Sequence, residues 1–325
     1  MEADADADAD EVVFDAPTYF RIYKSGRIDR LHRPPPVAAG SDDDGGGVAT
    51  MDVVLDAGTG LSVRLFLPVQ ERRRPPAKLP ILVFFHGGGF VVGSARSPTY
   101  HGYVASLAAA AGVLAVSVDY RLAPEHPLPA AYDDCWDALR WAASARDGGG
   151  GGWLAEHGDT ARVFVAGDSA GGNIVHNVLV RAAAAGGGAP RVEGAILLHP
   201  FFCGNAAVGG EPEHAAAATA KVWAFACPGA VGGADDPRIN PTAPGTTVGS
   251  LGCERMLVCA AAKDWLATRN RAYYDAVSSA AAGAWRGRAA WVETEGEEHV
   301  FFLDKPDCGK AKELMDRVAA FIAGE

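Results

Sequence analysis

Six short apolar runs, most of them separated by a helical pattern, constrain the fold of this chain more than any other feature. They read ILVFFH (Ile81–His86), VLAVSVDY (Val113–Tyr120), RVFVAG (Arg162–Gly167), VEGAILLHP (Val192–Pro200), MLVCAA (Met256–Ala261) and AAWVETE (Ala289–Glu295). The first two, with so little polar alternation, read as strands buried on both faces, as in a parallel sheet covered by helices. Helical patterns over Tyr103–Ala111 and Ala130–Ala143, from Ala170, after Asp264 and over Cys308–Ala323 supply the covering layers. Strand–helix alternation of this kind predicts a mainly parallel, doubly wound α/β sheet. VATMDVVLDA and LSVRLFLP, joined by a turn at Gly58–Gly60, add two antiparallel strands at one edge. With 49% hydrophobic residues in 325, one large core and a single domain are expected.

Two segments stand outside the alternation. Residues 1–47 combine an acidic, flexible tail with PTYFRIYKSGRIDRL, an amphipathic stretch that places Phe20 and Ile22 over the sheet as an N-terminal lid. Residues 204–233 are rich in alanine and carry Trp223 and Phe225 on an expected helix, a second lid or cap insertion. Decorative surface helices are the alternative for both. The glycine-rich runs at Asp42–Gly47, Gly148–Gly152 and Gly186–Gly188 read as flexible surface loops.

Charge narrows the partners. A formal net charge of −11 repels nucleic acid and anionic membrane surfaces. No window is long and apolar enough for a membrane span. The start, MEADADADADE, lacks the features of a secretory signal or an Arg-rich transit peptide, so a cytoplasmic location, with a nuclear share allowed, is the expectation. Cys135, Cys203, Cys227, Cys253, Cys259 and Cys308 show no CxxC or zinc-ligand spacing and are expected as reduced thiols. No metal or other cofactor is expected, and the protein is read as a monomer or homodimer.

The chemistry concentrates in RVFVAGDSAGGN. An apolar strand runs into Gly167-Asp168-Ser169-Ala170-Gly171, and a helix follows at once, the context that a GxSxG nucleophile turn needs. Small flanking residues let the chain turn sharply and present the Ser169 hydroxyl at the C-terminal end of the sheet. A serine hydroxyl needs a base. Among nine histidines, His299 lies just beyond the last strand, at the same end of the sheet as Ser169. An imidazole in turn needs an acid to fix its tautomer. Asp264 follows MLVCAA and precedes WLATRNRAYYDA, between Ser169 and His299 in chain order. It also suits a helix N-cap, and the two roles are compatible. Donors for an oxyanion are expected from HGGGF after the first buried strand: Gly87 and Gly88, with Gly89 able to replace one of them, joined by the amide of Ala170. Phe90, Trp223, Phe225, Leu266 and Val300 are expected as apolar pocket walls, with Phe20 and Ile22 above them.

With HGGGF, DYRLAPEHPLPAAYDD, GDSAGGN, KDWLATRN and EHVFF in this order, the chain resembles the hormone-sensitive-lipase group of α/β-hydrolases, and within it plant carboxylesterases. The resemblance runs from about Pro17 to the last helix. It implies an α/β-hydrolase fold with a helical lid, the Ser169–Asp264–His299 triad, an HGG-type oxyanion hole and no cofactor. Further, it implies that Tyr120-Arg121 with Pro124-Glu125, and Asp168 inside the turn, buttress the site. Gibberellin receptors are similar in the N-terminal segment but have lost the histidine and end the glycine motif in Ser; this chain keeps His299 and Gly89. Lys263 and Trp265 depart from the smaller or aliphatic residues usual in the group. Three readings follow: hydrolysis of small, largely apolar esters, receptor-like binding, and acyl transfer or lactone formation by the same triad.

Overall fold

The computed structural model describes residues 11–17, 19–31, 33–40, 47–69, 78–144, 151–243, 250–279 and 285–325. The acidic start and most of the runs at Asp42–Gly47 and Gly148–Gly152 lie outside the described residues. Strands are β1 (Val12–Ala16), β2 (Phe20–Tyr23), β3 (Ile28–Arg30), β4 (Val48–Asp56), β5 (Leu61–Pro68), β6 (Leu79–Phe85), β7 (Leu114–Asp119), β8 (Gly158–Asp168), β9 (Val192–Leu198), β10 (Cys253–Ala261) and β11 (Arg288–Thr294). Helices are α1 (Pro98–Ala111), α2 (Ala130–Ala143), α3 (Gly151–His157), α4 (Ala170–Ala185), α5 (Glu213–Ala226), α6 (Ala267–Ser278), α7 (Phe301–Asp304) and α8 (Gly309–Ala323).

Eight strands form one sheet in the order β4-β5-β7-β6-β8-β9-β10-β11. From β7 to β11 all neighbours are parallel, and β4 and β5 make the antiparallel edge. Side chains alternate between two apolar layers. Ile81, Val83 and Phe85 of β6 join Leu139 of α2 and Ile174 of α4 on one face. Leu82 and Phe84 join Leu107 of α1 and Leu314 of α8 on the other. Each such side chain contributes about 1.5–3 kcal/mol on burial, so neither face tolerates a polar register slip.

α1 begins five residues before the expected Tyr103: the Ser97 side chain accepts the Tyr100 N–H and Pro98 opens the first turn. The N-terminal segment corrects the picture of a purely helical lid. β1, β2 and β3 form an antiparallel three-stranded sheet, with β2 and β3 meeting across a turn at Ser25-Gly26. Phe20 and Ile22, two apart on β2, both point into the core, whereas Arg21 between them is exposed. The Gly204–Gly233 insertion does contain a helix, α5, whose Val222, Trp223 and Ala226 are buried. Of the six cysteines, five are buried and Cys308 is half-buried, and all are free thiols. Among the described residues no helix is long and apolar enough to cross a membrane.

Candidate active site

Ser169 stands between β8 and α4 with φ 50° and ψ −116°, a conformation that non-glycine residues rarely adopt. Such strain persists only where the surroundings enforce it. Here the Ser169 N–H donates to the Leu198 carbonyl and its own carbonyl accepts from the N–H of Phe201, fixing the turn against the end of β9. Gly171 cannot carry a side chain, since a Cβ there would sit inside the contact shell of the Phe85 carbonyl oxygen. The tight turn therefore rests on packing between α4 and β6 as much as on backbone freedom.

The structure brings the three expected side chains together. His299 Nε2 lies 2.9 Å from Ser169 Oγ, and His299 Nδ1 lies 2.7 Å from Asp264 Oδ2. With Nδ1–H donated to the carboxylate, Nε2 is the acceptor facing the hydroxyl. Asp264 Oδ1 accepts the Leu266 N–H, which closes the turn just ahead of α6; the N-cap itself is Leu266, without a side-chain cap bond, so the expected capping role of Asp264 gives way to this turn. Burial opposes the charge on Asp264. The facing His299, its hydrogen bond, nearby His199 and the Leu266 N–H outweigh that cost and hold the carboxyl below its ordinary value. Ser169 is 7% exposed and the His299 side chain 11%. Backbone bonds from Lys263 N–H to the Glu297 carbonyl and from Ala262 N–H to the Thr294 carbonyl tie the Asp264 and His299 loops together.

The glycine loop requires a correction. The Gly87 N–H is already committed, 2.9 Å from Tyr100 Oη and 3.0 Å from Asp168 Oδ1. Bound in this way it cannot face a ligand. No protein acceptor is found among the described residues for the N–H groups of Gly88 and Gly89, and that of Ala170 is among the unpaired amides of a helix start. Gly88 has φ 102° and packs on the Val92 carbonyl where a Cβ would collide. Gly89 lies under Val222 of α5, which puts the cap helix directly on this loop.

A family model described as alpha/beta hydrolase fold matches residues 82–303, more than half of the chain. The chain belongs to the alpha/beta-hydrolase fold family. This hydrolase is a carboxylesterase-type enzyme of the plant kind. It is 44% identical over 320 residues to tuliposide A-converting enzyme 1 of Tulipa gesneriana, covering 97% of this chain and 79% of the relative. To 2-hydroxyisoflavanone dehydratase of Glycyrrhiza echinata it is 40% identical, covering 96% of each. To the protein named probable carboxylesterase 13 of Arabidopsis thaliana it is also 40% identical, covering 97% of this chain and 99% of that one. The solved structure of a thermophilic carboxylesterase cloned from a metagenomic library superposes with a TM-score of 0.69 at 26% identity, covering 90% of each chain. The tulip relatives are named as chloroplastic or amyloplastic, which overturns the expectation of a cytoplasmic location.

The expected pocket walls of the hydrolase divide. Trp223 has no accessible surface and its Nε1–H donates to the Gly233 carbonyl; Phe90 and Leu266 are as deeply buried. Phe90 packs edge-on against Tyr132, Phe201 and Trp223. These three are core supports under the site, not walls open to it, and Phe20 and Ile22 are also almost fully buried. Phe225 and Val300 are half-buried. Trp265, 44% exposed, holds its ring centroid 4.7 Å from that of His299 and forms part of the outer rim.

Residues implied as buttresses find their partners. Tyr120 Oη donates to the His86 carbonyl, Arg121 pairs with Asp134, and Glu125 accepts two hydrogen bonds from Arg30 of β3. Sequence reasoning missed Tyr100, Arg30 and His199. His199, Asp264 and His299 have donor atoms close enough to suggest a metal site. The bonds that the structure shows there are instead His299 to Asp264, His299 to Ser169 and the Val300 N–H to His199 Nδ1, so His299 links Ser169 to Asp264 while His199 holds the backbone beside them.

Proposed function

We propose that this enzyme hydrolyses small, largely apolar carboxylic esters through a covalent acyl-Ser169 intermediate. His299 Nε2 takes the Ser169 proton as Oγ attacks the ester carbonyl, and Asp264 stabilises the imidazolium that forms. Gly88, Gly89 and Ala170 offer N–H groups to the oxyanion. His299 then protonates the leaving alcohol, and a water repeats the sequence to free the acid. The observation that carries this reading is the unbroken chain Ser169 Oγ–His299–Asp264, at 2.9 and 2.7 Å. The test is labelling with a fluorophosphonate followed by peptide mapping, together with hydrolysis of p-nitrophenyl butyrate. The probe should attach at Ser169, and Ser169→Ala should lower kcat by about 10⁴-fold or more. Undiminished turnover by Ser169→Ala, or labelling elsewhere, removes the scheme.

A second reading is favoured by how little of Ser169 and His299 meets solvent. An acyl group carrying its own hydroxyl would place that oxygen, instead of water, against His299; attack on the acyl carbonyl would release a lactone and restore Ser169. Chromatography of the products from a hydroxyacyl ester separates lactone from free acid. Following the names of the tulip relatives, we assign the protein to plastids, a location that imaging of a fluorescent fusion in plant cells checks.

A further inference from the structure

His199, the residue after β9, takes no part in the scheme above, yet its ring is fully buried behind the triad. Its Nδ1 lies 3.0 Å from the N–H of Val300, the residue after His299. A main-chain N–H only donates, so Nδ1 accepts and the single ring proton sits on Nε2. The same Nδ1 stands 3.6 Å from Asp264 Oδ2, the oxygen engaged by His299. With its lone pair turned to Val300, the ring has no proton to offer that carboxylate, and Asp264 is left to His299. Burial, reinforced by the neighbouring His299, pushes His199 down to about 3, so it stays neutral over the working range of an esterase.

The segment it grips needs holding. Val300 has φ 47°, which a β-branched residue rarely adopts, and His199 itself has φ 49°. The imidazole is wedged against Phe301 and Phe302, with ring centroids at 5.9 and 5.4 Å. Nε2 is buried without a hydrogen-bond partner among the described residues, a cost that plain packing by a leucine of similar size would avoid.

We propose that His199 is a positioning residue, whose Nδ1 anchors the Val300 N–H without donating to Asp264 and thereby sets the His299 ring between Ser169 and Asp264. This rests on the reading of those three residues as the catalytic triad. Three variants test it: His199→Leu removes the acceptor, His199→Asn keeps one at the δ position, and His199→Gln moves it one bond outward. Steady-state kinetics with p-nitrophenyl butyrate and the rate of fluorophosphonate labelling are measured on each, beside the parent. His199→Leu and His199→Gln should lose about 10²-fold in kcat and in labelling rate with KM little changed, as expected of a displaced base. His199→Asn should recover most of that loss. The comparison of Asn with Gln stands even if the leucine variant does not fold. A parent labelled at Ser169, with an Asn variant no faster than the Gln variant or a Leu variant as fast as the parent, overturns this proposal alone. A parent that the probe leaves unlabelled overturns the triad reading and this one with it.

Discussion

Asp168→Asn should make the stability of the protein less sensitive to pH, by an amount the structure sets. The Asp168 carboxyl is fully buried in the nucleophile turn, with Oδ1 accepting the Gly87 N–H and Oδ2 the Tyr100 hydroxyl at 3.0 Å each. Burial dominates; the Tyr100 bond, the charge of His299 and the Gly87 bond offset it only in part, and the carboxyl is pushed up from 3.8 to about 6. The folded value lies above the unfolded one, so the unfolded chain releases this proton first. Stability is thus highest below about pH 4 for this group, falls between pH 4 and 6, and is then constant. The full penalty is about 3 kcal/mol above pH 6, of which about half is already present at pH 5. Asparagine keeps an acceptor for Gly87 and stays neutral, but it leaves the Tyr100 hydroxyl proton without its carboxylate, costing about 1–3 kcal/mol at every pH. That constant cost cancels in a comparison across pH. From pH 5 to pH 8 the stability of the variant relative to the parent should rise by about 1.4 kcal/mol, or about 2 °C in relative Tm for a chain of this size. Urea titrations of both proteins at the two pH values measure it. A difference that stays flat, or moves the other way, refutes the account of Asp168 as a carboxylate ionised against its surroundings.

Asp264→Asn should leave the melting curve close to the parent's while lowering kcat by about 10⁴-fold, because an amide cannot hold the His299 tautomer; steady-state kinetics on the folded variant check this. Gly171→Ala should destabilise by about 1–3 kcal/mol or more, since the new methyl meets the Phe85 carbonyl, with Tm as the readout. Arg30→Ala should speed limited proteolysis within the first 40 residues, because it removes the bonds to the Val91 and Ala123 carbonyls and to Glu125. The Arg30 hydrogen bond is also the main cause that holds Glu125 down at about 2. That depressed value favours the folded state above the ordinary range near 4.5 and ceases to as pH falls toward 2, so in the parent the same cleavage should accelerate in acid.

The buried strands were legible because their composition leaves no solvent face, and α2 runs over Ala130–Ala143 as the helical pattern predicts. The start of α1 was legible too, but its signal lies in Ser97-Pro98 and not in the apolar residues after it. In the N-terminal segment, Phe20 and Ile22 alternate with Arg21 and a Ser-Gly pair follows, a hairpin signal that the word amphipathic does not separate from a helix. Ser169, Asp264 and His299 could be named because each follows a strand end in a known order. The committed amide of Gly87 could not, because Tyr100 and Asp168, which take it, are 13 and 81 residues away. His199 stayed hidden for a related reason: a histidine before a proline carries no pattern, and its meaning lies in a bond to residue 300.

Arg30 ties the N-terminal sheet to the glycine loop. Its guanidinium donates at once to the Val91 carbonyl, just past the glycine loop, and to the Ala123 carbonyl, while the Ala123 N–H donates to the Phe90 carbonyl. The N-terminal sheet and the glycine loop are therefore riveted by one side chain. Trimming the N-terminal sheet would slacken the amides proposed to receive the developing negative charge, so a shortened enzyme should lose turnover on every ester alike, bulky or slight, instead of gaining new ones.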